Sequence, residues 1–105
     1  MNSLIIKILY CHCLGDFVFQ SNWMAEEKSK SRIVLLAHSI LYSVPFSCFL
    51  NPSEFQIVLI VVSHYIIDWM KIHYKKIITF ERDQLLHIII AFGIFTDVLP
   101  LWKES

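Results

Sequence analysis

Glycine, proline and low-complexity tracts are scarce in this chain. It has two glycines and three prolines among 105 residues, and neither a linker nor an internal repeat divides it. We therefore expect residues 1–105 to form a single domain, near the lower size limit at which a chain buries a core of its own.

Net charge is also lacking. Nine basic and nine acidic residues cancel, so no overall positive field attracts nucleic acid, and none is expected as a partner. The first apolar run has neither a charged leader nor an A-x-A site, and we expect no cleavable signal peptide. The cysteines, Cys11, Cys13 and Cys48, are odd in number and lie in apolar runs. They predict small buried side chains and no disulfide framework.

What the chain has in excess is apolar residues. They make up 56% of the sequence, against about 45–50% in an ordinary soluble domain. Four apolar runs cover residues 3–19, 33–50, 55–71 and 84–101, and each is close to the length that crosses a bilayer. The sequence therefore predicts an all-α fold, a four-helix transmembrane bundle in a single integral membrane domain.

The connectors between these runs predict the topology. Seven of the nine basic residues lie in the two longer connectors: Lys28, Lys30, Arg32, Lys71, Lys75, Lys76 and Arg82. By the positive-inside rule, the connectors face the cytoplasm and both termini face outside. Ser21 or Asn22 is expected to cap a short helix, and residues 51–54 to form a turn and a helix start. Residues 71–82 mix basic and apolar side chains, which is typical of a segment lying in the membrane interface.

Histidine and aspartate recur four residues apart in three places, and residues at this spacing share one face of a helix. The pairs are His12 and Asp16, His64 and Asp68, and Asp83 and His87. In the predicted topology these pairs and His38 all lie in the cytoplasmic half of the four helices. Scattered solubilising residues would have no reason to share one depth, so we expect the seven side chains to meet.

Such a cluster indicates a metal ion. An aspartate at the centre of a spanning helix costs about 2.5–3.5 kcal/mol on insertion scales, and the carboxylates need partners. Four imidazoles and three carboxylates suit a divalent cation such as Zn, Mn, Fe or Mg. These seven side chains are more than the three or four protein ligands that one zinc ion takes. Two arrangements stay open: two ions bridged by an aspartate, or one ion whose remaining neighbours orient its ligands.

We predict roles for the side chains of the cluster and for the polar residues around it. The predicted metal ligands are His12, Asp16, His64, Asp68 and His87. Asp83 and His38 are candidates for additional ligands or the general base. Five residues would orient ligands or hold an anionic substrate: Gln20, Gln84, Lys71, Lys75 and Arg82. Outside this set, His73 is expected to be exposed and Gly15 to let another helix approach closely. Lys7 and Asp97 are expected to pair structurally.

Less specific interpretations compete with the metal site. A lone histidine in an apolar helix is more often a packing residue than a ligand, and one His/Asp pair is a weak signal. In this interpretation the cluster has a structural role and holds the four helices together by hydrogen bonds, as in a non-enzymatic phage-type effector. A metal or proton conduit is disfavoured because the outer half offers few polar residues. A soluble helical bundle with an internal metal site is a further alternative.

The order and spacing of these residues resemble the bacterial and phage membrane proteins grouped as domain of unknown function 3307. The residues that carry the resemblance are residues 12–17 (HCLGDF), Gln20, Lys28, His38, His64 with Asp68 and Lys71, and Asp83 with Gln84 and His87. The resemblance extends from about residue 8 to about residue 95. It implies a small helical domain of the bacterial inner membrane with these polar residues as its functional core, and it implies no reaction.

The leading functional hypothesis is a membrane-embedded, metal-dependent hydrolase with a cytoplasm-facing site. Its substrate would be a phosphoester, on a lipid headgroup or a nucleotide. The expected partners are the lipid bilayer, an anionic lipid or other phosphate-bearing substrate, and a second copy of the chain in a homo-oligomer.

Overall fold

The computed structural model describes residues 2–95. Within them the chain forms five α-helices: α1 (Asn2–Cys13), α2 (Asn22–Glu27), α3 (Arg32–Leu50), α4 (Glu54–His73) and α5 (Phe80–Phe95). A π-helical segment, Leu14–Val18, continues α1. No strand occurs in residues 2–95, which confirms the all-α prediction. The end of the fourth predicted helix and the partner proposed for Lys7, Asp97, lie outside the described residues.

Serine side chains cap the N-termini of α2, α3 and α4; the serines are Ser21, Ser31 and Ser53. Ser21 accepts a hydrogen bond from the backbone N–H of Met24 at the start of α2, as the sequence predicted. Ser53 and Gln56 form a capping box at the start of α4, and Asn51 ends α3 in the left-handed conformation, with φ 48°. These groups satisfy backbone donors and acceptors that helix ends leave unpaired. The predicted turn at residues 51–54 is therefore confirmed.

The four longer helices pack as a closed ring. Helix α3 lies against α4, α4 against α5, and α1 against both α3 and α5, while α2 rests on α3. The apolar part of the core consists of seven buried residues: Ile8, Cys11, Tyr42, Phe46, Ile60, Ala91 and Ile94. The predicted His/Asp cluster occupies the remaining interior, toward the end of the bundle where α4 leads into α5.

Gly15 brings the π-helical segment into contact with α3. A Cβ atom at this position would lie 2.7 Å from the carbonyl oxygen of Tyr42 and 3.0 Å from its Cα. Backbone atoms cannot move aside as a flexible side chain can, so only glycine permits this approach. The close approach predicted for Gly15 is confirmed. The π-helical turn, closed by the Phe19 N–H on the Leu14 carbonyl at 2.9 Å, was not predicted.

Two predictions about local structure need correction. Cys11 is fully buried, but Cys13 and Cys48 are exposed thiols, because they lie on the outward faces of α1 and α3. Residues 71–73 belong to α4 and residues 80–82 to α5. The predicted connector at residues 71–82 is thus helical at both ends, and Ile77 in the turn at residues 74–79 is 61% exposed. That this connector lies in a membrane interface stays a prediction.

Large apolar side chains cover the outside of the bundle. On α3 and α4 they follow helical spacing: Ile33, Leu36, Ile40 and Val44, then Val58, Val62 and Ile66. By length and composition, α3 and α4 could cross a membrane. Helix α1 with its π-helical continuation covers residues 2–18, and α5 is described only as far as Phe95. Within the described residues neither reaches the roughly 20 residues of a typical span. The described residues thus contain two candidate spans where the sequence predicted four.

Candidate metal centre

All seven predicted histidines and aspartates are buried in one cluster, each at most 5% exposed. Helix α1 supplies His12 and the π-helical segment Asp16, while α3 supplies His38. Two consecutive turns of α4 carry His64 and Asp68, and two of α5 carry Asp83 and His87. Every one of the four long helical segments therefore contributes, and the ring packing of the helices turns these faces inward.

Asp16 lies between two imidazoles. Its Oδ1 atom is 3.3 Å from His38 Nε2 and 3.4 Å from His64 Nε2. The two rings meet edge to face, with centroids 4.7 Å apart. One carboxylate oxygen thus faces two ring nitrogens from two different helices.

His87 lies close to two carboxylates, those of Asp68 and Asp83. His87 Nε2 is 3.6 Å from Asp68 Oδ1 and 3.1 Å from Asp83 Oδ1. The second oxygen of Asp68 lies 3.5 Å from His38 Nε2. His64 and His87 stack with their ring centroids 4.3 Å apart, so the two halves of the cluster are continuous.

Several of these buried atoms make no hydrogen bond. Within the described part of the chain, six atoms of the cluster have no partner of hydrogen-bonding geometry: both ring nitrogens of His38 and of His64, Nε2 of His87 and Oδ1 of Asp83. A buried polar atom without a partner costs about 1–3 kcal/mol, and a native structure contains few of them. Four of the six, the three Nε2 atoms and Asp83 Oδ1, lie in the short histidine–aspartate contacts, where one ligand would satisfy them together.

The spacing between these atoms matches that between ligands of one metal ion. Nitrogen and oxygen ligands lie about 2.0–2.2 Å from zinc, which separates neighbours in a tetrahedral site by about 3.4 Å. Three groups are close enough to hold an ion: Asp16 with His38 and His64, His64 with Asp68 and His87, and Asp16 with Asp83 and His87. Asp16, His64 and His87 each belong to two groups, so the candidate sites adjoin.

His12 makes hydrogen bonds with both ring nitrogens. Nδ1 is 2.8 Å from the Tyr42 hydroxyl and Nε2 is 2.7 Å from Gln84 Oε1. The amide nitrogen of Gln84 donates to Asp16 Oδ2 at 2.9 Å and to Asp83 Oδ2 at 3.1 Å. Its oxygen therefore accepts from His12, and the Nδ1 atom of His12 in turn accepts from Tyr42. In this arrangement His12 orients Gln84, and Gln84 holds two carboxylates.

Two lysines pair with the outer oxygens of the aspartates. Lys28 Nζ lies 2.9 Å from Asp68 Oδ2, and Lys71 Nζ lies 3.4 Å from Asp83 Oδ2. From the sequence, Lys28 was expected only to help set the membrane orientation, although it is among the residues that carry the family resemblance. Tyr42 was also missed; its position one helical turn after His38 on α3 was the available signal.

The other predicted residues lie at the margin. Gln20 donates to the backbone oxygen of Asp16 at 3.5 Å, at the long limit for a hydrogen bond. The guanidinium of Arg82 donates to the Ile77 carbonyl and is exposed. His73 is exposed, as predicted, and stacks on Trp69. Lys75 lines a cavity of about 430 Å³ whose wall also includes Lys28, Asp68 and Lys71.

The comparison with known proteins identifies the family of this chain but no activity. The model of a family described as a protein of unknown function (DUF3307) matches residues 4–103. No curated protein and no solved structure matches the chain.

Proposed function

Because the chain belongs to the family of unknown function DUF3307, whose description names no reaction, we propose its function from the geometry of the cluster. The proposal is a membrane-embedded, metal-dependent hydrolase that acts on a phosphoester. The observation that carries it is the set of buried imidazole nitrogens that lie 3.1–3.6 Å from carboxylate oxygens and make no hydrogen bond.

Six side chains form the proposed ligand set: Asp16, His38, His64, Asp68, Asp83 and His87. Mixed imidazole and carboxylate ligands suit zinc, manganese or iron better than magnesium, which prefers oxygen alone. The three adjoining groups have enough ligands for two ions that share Asp16, His64 or His87. This assignment moves His12 from the predicted ligand set to a positioning role, since both of its nitrogens are engaged.

The chemistry follows from the composition of the cluster. These side chains would hold a divalent ion, whose Lewis acidity would favour a hydroxide nucleophile at neutral pH. Asp83 directs one oxygen into the cluster and the other toward Lys71, so we assign it as a ligand of the ion rather than as a general base. Lys28 and Lys71 place positive charge beside the cluster, where it would counter the charge of a phosphoester.

The surface supports placement in a membrane. The bundle buries charged and polar groups and exposes large apolar side chains at helical spacing, such as Ile33, Ile40, Val62 and Ile66. An exposed apolar surface of this extent is unusual for a soluble monomer. The lysine-bearing turns lie at the cluster end, and from the positive-inside rule we infer that this end faces the cytoplasm of a bacterial inner membrane.

Hydrolysis of a chromogenic phosphodiester by the detergent-purified protein tests the proposal. We expect turnover that is lost on chelation, restored by zinc or manganese, and abolished by D68N. The matched control H73A, which changes an exposed histidine outside the cluster, should retain full activity. Turnover that persists in D68N would exclude the cluster as the active site.

The two lysine salt bridges favour a second candidate. Lys28 and Lys71 neutralise Asp68 and Asp83 within the chain, as a purely structural cluster would require. Such a cluster would let H64Q and H87Q fold and retain stability, because glutamine replaces hydrogen bonds but binds metal poorly. Full thermal stability of both variants, together with no bound metal in the parent protein, would establish this alternative.

A further inference from the structure

The cavity beside the cluster has the features of a phosphate-binding site. It has a volume of about 430 Å³ and is lined by side chains from three parts of the chain: α2 with its C-terminal flank, the end of α4, and the turn that leads into α5. Asp68 contributes to its wall, so the cavity reaches the buried cluster. It thereby connects the candidate metal ligands with the outside of the bundle.

Three lysines line this cavity, namely Lys28, Lys71 and Lys75. Lys28 and Lys71 are held in place, with only 13% and 33% of their side chains exposed. Lys71 Nζ also lies 5.4 Å from the centre of the Phe80 ring, a favourable cation–π contact. Their ammonium groups are therefore fixed charges, unlike those of freely moving surface lysines.

Each fixed lysine is bound to a carboxylate that also faces the cluster. Asp68 directs Oδ1 to His87 and Oδ2 to Lys28, while Asp83 directs Oδ1 to His87 and Oδ2 to Lys71. An ammonium has three N–H donors, and one directed to the carboxylate leaves others for an anion in the cavity. An anion bound there would lie next to the candidate metal ligands.

We propose that this cavity is the phosphate subsite of the enzyme, with Lys28 and Lys71 as its direct ligands and Lys75 at its mouth. The inference rests on the proposed hydrolase function and specifies how the substrate is bound. The start of α5, with Thr79 and Phe80 in the cavity wall, adds the positive end of a helix dipole. Arg82, although basic, does not line the cavity and has no part in the subsite.

The apolar part of the wall is suited to an acyl chain beside the phosphate. Ile72, Ile78 and Phe80 line the same cavity, and Phe80 and Ile77 are exposed nearby on the outer surface. The shared chemistry of the substrate is a phosphate ester. Its source is either a lipid headgroup or a soluble phosphoester, and two probes distinguish them.

Equilibrium binding of inorganic phosphate to the detergent-purified protein, with and without added zinc, tests the subsite without requiring turnover. We expect K28M and K71M each to raise the Kd about tenfold or more, since a hydrogen bond to a charged group contributes about 1.5–3 kcal/mol. Methionine keeps the apolar part of the side chain. The matched control K76M, next to Lys75 in the turn between α4 and α5 but outside the cavity, should leave the Kd unchanged.

Metal content measured on the same samples separates the two proposals. Unchanged phosphate binding in both K28M and K71M, with metal and hydrolysis intact, would overturn the subsite alone. A parent protein with neither hydrolysis nor bound metal, but with phosphate binding that depends on Lys28 and Lys71, would overturn the hydrolase and leave the subsite. Tighter binding of dioctanoyl phosphatidic acid than of glycerol 3-phosphate would support a lipid source; equal binding would support a soluble one.

Discussion

Gln84 of α5 donates its side-chain amide to Asp16 Oδ2 at 2.9 Å, across 68 positions of sequence. The same amide nitrogen lies 3.1 Å from Asp83 Oδ2, and its oxygen is fixed by His12. One neutral side chain thus sets the orientation of two carboxylates from different helices. The candidate site therefore depends on residues that bind no metal themselves.

Replacing Gln84 with leucine should weaken metal binding while the protein still folds. Without the amide, Asp16 and Asp83 lose a shared donor and His12 loses the partner that orients it. Removing a group that orients metal ligands typically costs 10- to 100-fold in affinity. Competition with a zinc-binding dye measures the change. Q20L is the matched control, because among residues 2–95 the side chain of Gln20 hydrogen-bonds only to the backbone oxygen of Asp16. Equal losses in both variants would contradict the role of Gln84.

Metal binding should weaken as the pH falls. Imidazole binds metal only when deprotonated, and the ordinary histidine pKa is roughly 6.5. With imidazoles among the ligands, protons compete with the ion for the ring nitrogens, and the affinity should fall as the pH is lowered from 8 to 5. Chelator competition between pH 5 and pH 8 measures this. Affinity that stays constant until about pH 4 would indicate carboxylate ligands alone.

Replacing Gly15 with alanine should destabilise the bundle. The added Cβ would meet the Tyr42 backbone at 2.7 Å, and forced overpacking of this kind costs about 1–3 kcal/mol. Because Gly15 precedes Asp16, the displacement should also lower metal affinity. Thermal unfolding in detergent measures the effect, with C13A as the control at an exposed position of α1. An unchanged midpoint in G15A would contradict the close packing.

Replacing Val62 with aspartate tests the membrane placement. Val62 is 47% exposed on the outer face of α4, near the middle of a candidate span. In a bilayer the new carboxylate would cost about 2.5–3.5 kcal/mol, and we expect less protein in the carbonate-resistant membrane fraction. On the surface of a soluble bundle the same change would cost little. Unaltered levels in V62D, together with full extraction of the parent protein by carbonate, would favour the soluble alternative.

The sequence was most informative where spacing alone determines geometry. The three four-residue pairs and the shared depth of His38 predicted a single cluster, and the structure brings these seven side chains together. Serine caps and the turn at residues 51–54 followed from local preferences. Such features depend on neighbours in the chain, which the sequence displays directly.

Other features depended on contacts between distant residues. The π-helical turn at Leu14–Val18 arises where Gly15 meets α3, and no local pattern predicts it. His12 has the same spacing to Asp16 as His64 has to Asp68, yet Tyr42 and Gln84 occupy both of its nitrogens. The exposure of Cys13 and Cys48 follows from the helix faces that turn outward. Spacing locates a residue on a helix, but its hydrogen-bond partners come from the other helices.

Metal content of the detergent-purified protein, measured by elemental analysis, tests the central claim most directly. The account predicts at least one zinc, manganese or iron ion per chain in the parent protein and in H73A. It predicts loss of that ion in H64A and H87A, with both variants still inserted and helical. Stoichiometric metal in an H64A/H87A double variant, or none in the parent protein after reconstitution with each of the three ions, would contradict it.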